Sequence, residues 1–317
     1  MPEGADRFTR LDIQHGLSQS TVTAMAQTAD GAVWLGTHNG LNRYDGFTVT
    51  VFRPDNSRRF ALSDNYITSL LTDSHGNLWI GTLSGLSRYN LQSGVIENLS
   101  FGLQDKNSAS FILSMQFDDS GRLWLGTEQG LAYYDSAQEK VMYLQLDGIT
   151  QPFSIAALAL DADELLLGTP QGLYRYNLSR NSVYKDAEFP LPVASVLSLA
   201  KGAEGQIWAG LDQQGVYHYA NGKWQPVSLN THNPNTVVRE VRAIATNKRT
   251  GIVWVGSQQG LHRLQQHQGI WQQQTFYRHH PFSPDSLGRG KIASLMFSDD
   301  GAVWAVTWNG GVSRLHL

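Results

Sequence analysis

The sequence predicts an all-β fold, a seven-bladed β-propeller with four antiparallel strands per blade. Three observations predict it: a tryptophan-glycine motif that recurs seven times along 317 residues, a short apolar run before every copy, and an N-terminal segment that supplies what the last copy lacks. Repeats with a period of 40 to 50 residues and four short strands each are the signature of propeller blades.

The first motif copy reads Gly31-Ala-Val-Trp34-Leu-Gly36-Thr37-His-Asn-Gly40-Leu41-Asn-Arg43-Tyr44, and the second Gly76-Asn-Leu-Trp79-Ile-Gly81-Thr82-Leu-Ser-Gly85-Leu86-Ser-Arg88-Tyr89. The tryptophan places are Trp34, Trp79, Trp124, Leu166, Trp208, Trp254 and Trp304, spaced 42 to 50 residues apart, and they take six of the nine tryptophans. Copy four substitutes leucine for tryptophan, copy five Leu211 for threonine and copy seven Val306 for glycine. Tryptophan is expected to fill the wedge between blades. The glycine two residues on lies on the same strand face, where only a hydrogen leaves room for the neighbouring sheet.

The preceding runs, among them Val22-Thr-Ala-Met25, Ile67-Thr-Ser-Leu70, Val196-Leu-Ser-Leu199 and Ile292-Ala-Ser-Leu295, carry alanine or serine at their third position. Bounded by polar turns, they read as buried innermost strands crowded around an axis. A Gly-Leu hairpin after the tryptophan strand gives a third strand, and segments such as 47–53 and 95–99 give the fourth. Copy seven ends after its third strand, whereas Arg7-Phe-Thr-Arg-Leu-Asp12 precedes the first inner strand. Residues 6–12 are therefore expected to complete blade seven, removing a free sheet edge, so that residues 1–317 make one propeller.

Composition excludes several classes. The chain has no cysteine, which removes disulfides, thiolate zinc sites and a cysteine nucleophile. Its net charge of −3 has no basic stripe for a nucleic acid, so none is expected as a partner. The longest apolar runs fall far short of the roughly 18 residues of a membrane span. The first six residues lack the basic and apolar parts of a signal peptide, which leaves a cytoplasmic protein or a processed piece.

The string Gly-x-Leu-Trp-Ile-Gly-Thr-x-x-Gly-Leu-x-Arg-Tyr resembles the two-component regulator propeller repeat, with copies one to three matching best. That resemblance implies the extracytoplasmic, periplasmic sensing region of a bacterial hybrid histidine kinase or diguanylate cyclase. Its partners would be a small-molecule ligand, such as the carbohydrate breakdown products that several relatives sense, and a neighbouring propeller or immunoglobulin-like domain of the same receptor.

Catalytic motifs are not found. There is no Gly-x-Ser-x-Gly elbow, no phosphate loop and no His-Glu-x-x-His, so this region is expected to be non-enzymatic and to need no cofactor or metal. The adjacent His279 and His280 point to opposite sides of an extended segment. Asp161-Ala-Asp163-Glu164 stands where other blades have a hairpin turn and lacks the glycine and distant glutamate of a calcium loop.

Binding residues are sought where a propeller gathers its loops on one face. The second-to-third-strand loops hold His38-Asn39, Leu83-Ser84, Glu128-Gln129, Pro170-Gln171, Asp212-Gln213-Gln214, Gln258-Gln259 and Trp308-Asn309. Eight of these residues are asparagine or glutamine, and a primary amide both donates and accepts hydrogen bonds, as a sugar hydroxyl requires. Trp308 is an exposed platform for ring stacking. Beside these loops stand the residues that lead into the inner strands: Asn65, Tyr66, Glu240 and Gly290, with Arg239 and Lys291. The last two suit an acidic group such as a uronate. The expected ligand site is thus His38, Asn39, Asn65, Tyr66, Glu128, Gln129, Gln171, Asp212, Arg239, Gln258, Lys291, Trp308 and Asn309. A lyase of the streptogramin-cleaving kind, with Glu128 and His38 as its mouth groups, and a protein-docking scaffold are the alternatives.

Overall fold

A computed structural model describes residues 6–55, 61–101, 111–145, 153–231, 233 and 236–316. Seven four-stranded antiparallel blades form the ring. Their inner strands are Val22–Gln27, Ile67–Thr72, Ile112–Phe117, Ala157–Asp161, Val196–Lys201, Ala243–Thr246 and Ile292–Phe297. Each inner strand packs against the next, and that of blade one packs against that of blade seven. The outer strands Val49–Phe52 and Ile96–Phe101 fall close to the expected fourth strands.

Closure follows the expectation. Phe8–Leu11 pairs antiparallel with Gly311–Leu315, Phe8 opposite Leu315 and Leu11 opposite Val312. Phe8 is buried beside Leu315 in one apolar cluster. Arg10 adds a polar clasp, donating through Nη2 to the carbonyl oxygens of Ser286 at 2.8 Å and Leu287 at 3.3 Å. Asp12 ends the strand by capping a short 3-10 turn, Ile13–His15, and accepts from the Gln14 amide at 2.9 Å.

The motif glycine is a spacer between blades. A Cβ at Gly36 would stand 2.5 Å from Cγ2 of Ile67, and one at Gly126 2.6 Å from the carbonyl oxygen of Ile155. In each case the obstacle is the first apolar residue of the next inner strand. Val306 takes this place in blade seven, where it is buried with Val22 of blade one. In five blades the register shifts at the second residue of the inner strand, as between Val22 and Ala24. Such a bulge re-aims one side chain. Thr23 uses it to donate to the Ile67 carbonyl of the next blade at 2.6 Å. Thr68 makes the corresponding bond to the Ile112 carbonyl, and Ser198, at the third rather than the second position of its strand, reaches the Val241 carbonyl at 2.8 Å.

The tryptophans are core, as expected. Trp34, Trp124, Trp208 and Trp254 are among the largest fully buried side chains. The turn residue six positions earlier accepts from the indole Nε1: Thr28 for Trp34 at 2.9 Å, Asp73 for Trp79 at 2.9 Å, Asp118 for Trp124 at 2.8 Å and Ser298 for Trp304 at 3.0 Å. The motif arginine lies opposite the tryptophan on the third strand, with Arg43 over Trp34 at 5.9 Å and Arg314 over Trp304 at 5.3 Å. Blade four has no such ring. There Arg175 is held by Asp161 at 3.1 Å, Glu164 at 3.0 Å and Asp186 at 2.8 Å. The acidic turn of this blade therefore serves a buried guanidinium. Trp224 and Trp271 lie in outer strands and pack between blades, Trp224 against Phe189 at 5.2 Å and Trp271 against Trp208 at 4.7 Å.

One feature was not legible in the repeat. The outer strands Ile96–Phe101 and Lys140–Tyr143 pair in parallel, Lys140 opposite Ser100 and Val141 opposite Phe101, so that blades two and three form one eight-stranded sheet.

Candidate functional site

The buried motif threonine shapes every mouth loop in which it occurs. Thr37 Oγ1 donates to the Gly40 carbonyl at 2.9 Å and accepts the Asn39 amide at 3.0 Å. Thr82, Thr127 and Thr169 repeat the pair of bonds with Ser84, Gln129 and Gln171. A second repeated bond joins the loop of five blades to the residue leading into the same blade's inner strand: Leu83 to Tyr66 at 3.3 Å, Glu128 to Phe111 at 3.2 Å, Asp212 to Ser195 at 3.0 Å, Gln258 to Arg239 at 3.0 Å and Trp308 to Lys291 at 3.1 Å. These backbone bonds put the loops and the lead-in residues on one face.

On that face four of the expected residues meet. Tyr66 and His38 stack with ring centres 3.9 Å apart, and His38 meets the edge of Trp308 at 6.1 Å. The Lys291 ammonium lies 4.1 Å from the centre of the Trp308 ring. An aromatic arc therefore runs from blade two through blade one to blade seven and ends in a cation. Trp308 is 36% exposed, so part of its surface is open to a ligand. Burial lowers the pKa of His38 and raises that of Tyr66, keeping both rings neutral near pH 7.

The arc continues into Glu240, which register places at the mouth but which the expected ligand set leaves out. Glu240 accepts from Lys291 Nζ at 2.6 Å and from Arg242 Nε at 3.1 Å. The Lys291 hydrogen bond, followed by that of Arg242, outweighs burial and holds the Glu240 carboxyl below its usual range. Glu240 has a φ of 47°, in the left-handed region that side-chain-bearing residues seldom adopt. Its amide is fixed there by the Asp212 carbonyl of blade five at 2.8 Å. Its neighbour Arg239 is exposed, and its backbone amide donates to Gln259 Oε1 at 3.1 Å.

A cavity of about 540 Å³ opens beside this pair, lined by Glu240, Gln258, Gln259, Arg278, His279 and Lys291 among others. Its wall is the 279–291 connection, which is ordered by its own bonds. His279 Nδ1 donates to the Leu287 carbonyl at 3.0 Å, and the Gly288 amide donates to Ser313 at 2.9 Å.

The remaining expected residues share the face but not the cluster. Glu128 and Gln129 stand on blade three, Gln171 on blade four and Asp212 on blade five. Asn65 lends its carbonyl to the Gly40 amide at 2.8 Å. Two of the amides are engaged locally, since Asn39 reaches the Ser18 carbonyl at 3.5 Å and Asn309 accepts from Thr21 at 2.8 Å. Among the described residues no three histidine, aspartate or glutamate side chains gather as a metal site would require.

Fold and face together define a β-propeller with a polar, aromatic-edged mouth. The model of the two component regulator propeller family matches residues 16–39, 61–84 and 107–129, which lie in blades one to three. The chain is 44% identical over 52 residues to histidine kinase P4 of Formosa agariphila, a stretch that covers 16% of the chain and 4% of that protein. In structure it is similar to the extracellular domain of a hybrid two component system from B. thetaiotaomicron, with a TM-score of 0.81 at 20% identity over 98% of the chain and 42% of that domain. It is also similar to a virginiamycin B lyase from Staphylococcus aureus solved with quinupristin, with a TM-score of 0.73 at 14% identity over 99% of the chain and 100% of the lyase. Likeness at these identities establishes the fold alone. The chain spans less than half of the extracellular domain and a small fraction of the kinase.

Proposed function

We propose that this chain is the extracytoplasmic, periplasmic ligand-sensing propeller of a bacterial signal-transduction receptor, and that its ligand is an oligosaccharide held across the mouth of blades six, seven, one and two. The observation that carries the reading is the continuous arc Tyr66–His38–Trp308–Lys291–Glu240 beside a cavity of about 540 Å³. A partly open indole offers one face to a sugar ring, and the ion pair and amides at its edge offer donors and acceptors to hydroxyl groups. Lys291, Arg242 and Arg278 outnumber Glu240, which favours a saccharide bearing a carboxylate. Glu128, Gln129 and Gln171 lie farther round the rim and would serve a longer chain, while Asp212 adjoins Glu240, whose amide its carbonyl holds. The regulator-propeller repeats support the receptor setting.

Titration calorimetry with neutral and uronate-containing oligosaccharides tests the reading. Binding at the mouth should weaken by about tenfold or more in Trp308→Ala and, for the uronates, also weaken in Lys291→Met. An oligosaccharide bound with equal affinity by Trp308→Ala would sink the placement of the site. No heat with any saccharide would sink the ligand class.

A further inference from the structure

Blade five departs from the repeat at two positions around its tryptophan. Gly202 stands six residues before Trp208, where Thr28, Asp73, Asp118 and Ser298 accept the indole proton in other blades. A Cβ at Gly202 would lie 3.2 Å from Trp208 Nε1, and the glycine brings no side chain to accept the indole proton. Opposite Trp208 on the third strand is His218, at the register held by Arg43, Arg88, Arg175, Arg263 and Arg314 in five other blades. Trp271 of blade six completes the group, with its ring centre 4.7 Å from Trp208 and 5.6 Å from His218.

The departure leaves polar atoms unanswered. Among the described residues, His218 Nε2, Trp208 Nε1 and Trp271 Nε1 are buried and have no hydrogen-bonding partner. His218 is 6% exposed, and burial pushes its pKa down to about 4, so the imidazole is neutral at physiological pH. Buried polar groups in proteins are almost always satisfied; the indole nitrogens of Trp224 and Trp254 are likewise without a partner, and what sets this group apart is that three such rings touch one another. A cavity of about 340 Å³ between the outer strands of blades five and six adjoins them, lined by His218 and Trp271 and by Asn221, Lys223, Gln225 and Gln266. No carboxylate lines it, which disfavours a cation. Three primary amides and a neutral imidazole suit hydroxyl groups, and the half-buried Trp271 with the exposed Ile270 suits the apolar face of a ring.

We infer that this outer groove between blades five and six is a second binding site, separate from the mouth, for a single polyhydroxylated ring such as one saccharide unit. The site does not depend on the mouth reading.

The experiment uses the 15N-labelled chain and follows the indole Nε1–H resonances of its nine tryptophans. Trp271→Phe and Trp308→Phe assign the two reporters. D-Glucose, D-galactose, D-mannose and D-xylose are titrated singly. At least one should shift the Trp271 signal with millimolar affinity. His218→Arg, which restores the residue of the other blades, should fill the groove and weaken that binding at least about tenfold. Trp308→Ala should leave it unchanged. If none of the four sugars moves the Trp271 signal, or if His218→Arg binds as tightly as the parent chain, the inference is overturned. A sugar that moves only the Trp308 signal also overturns it, while supporting the mouth.

Discussion

Lys291 Nζ lies 4.1 Å above the centre of the Trp308 ring while it donates to Glu240 at 2.6 Å, so one ammonium joins the aromatic arc of blades one and seven to the carboxylate of blade six. Cation–π contact and ion pair hold the indole in one orientation. A preoriented ring loses less freedom when a ligand stacks on it.

Trp308→Ala should therefore weaken saccharide binding at the mouth by about tenfold or more, and change stability little because the side chain is already partly exposed. Calorimetric titration beside a thermal melt separates the two effects. Lys291→Met should loosen the ring without removing it and cost a smaller factor for neutral sugars than for uronates.

Gly126→Ala should destabilise the ring by about 1–3 kcal/mol, since the added methyl would meet the Ile155 carbonyl oxygen at 2.6 Å, a backbone atom that cannot turn aside. Gly121→Ala, at a turn where nothing lies within 4 Å, is strained by its φ of 83° alone and should cost less. Urea unfolding of both variants gives the comparison.

Phe8→Ala should cost about 3–5 kcal/mol. The ring is 4% exposed and meets Tyr277 edge-on at 5.4 Å, so its loss opens a hole where the first strand joins blade seven. Hydrogen exchange should show the amides of Gly311–Leu315 losing protection before those of blade one. Uniform loss across all blades would contradict an independent closing strand.

Acid should weaken the fold through two histidines. Burial lowers both His218 and His262 to about 4, against 6.5 unfolded. Between those values the unfolded chain binds more protons, so stability is fully present above pH 6.5 and falls as pH drops toward 4, by up to roughly 3 kcal/mol for each group. His262 is neutral with the proton on Nδ1, because Gln273 Oε1 already accepts from the Asn230 amide at 2.9 Å and accepts from Nδ1 at 3.0 Å. Ser257 then donates to Nε2 at 3.0 Å. In His262→Gln the melting temperature should vary less between pH 4 and 6.5 than in the parent chain. An unchanged pH profile would show that His262 is not the group responsible.

The blades, their closure and the shared mouth face were legible in the sequence because each rests on a periodic constraint. A glycine stands where Ile67, Ile112 and most of their equivalents press on the preceding blade, with Val306 the exception, and a threonine, or Ser257 in blade six, stands where a two-residue hairpin is locked. His38, Tyr66, Lys291 and Trp308 were readable as mouth residues by register alone. What makes them a cluster was not. Glu240 joins Lys291 across 51 positions and through a left-handed backbone, and neither leaves a local trace. Arg239, one residue earlier, looked the better candidate from charge, but the chain turns at Glu240 and carries the carboxylate to the ion pair. The outer groove escaped notice for a different reason: Gly202 and His218 are ordinary residues, and their meaning lies in the bonds that the other blades make at those places.

The parallel seam between blades two and three has a mechanical consequence. Separating those two wedges means exposing peptide groups to water as well as side chains, so they should move as one plate. Any flexing of the ring is thereby displaced toward joints without a strand pairing, and the joint between blades six and seven, where Lys291 reaches across to Glu240 and the Ile292 amide to the Ser257 carbonyl, is one of them.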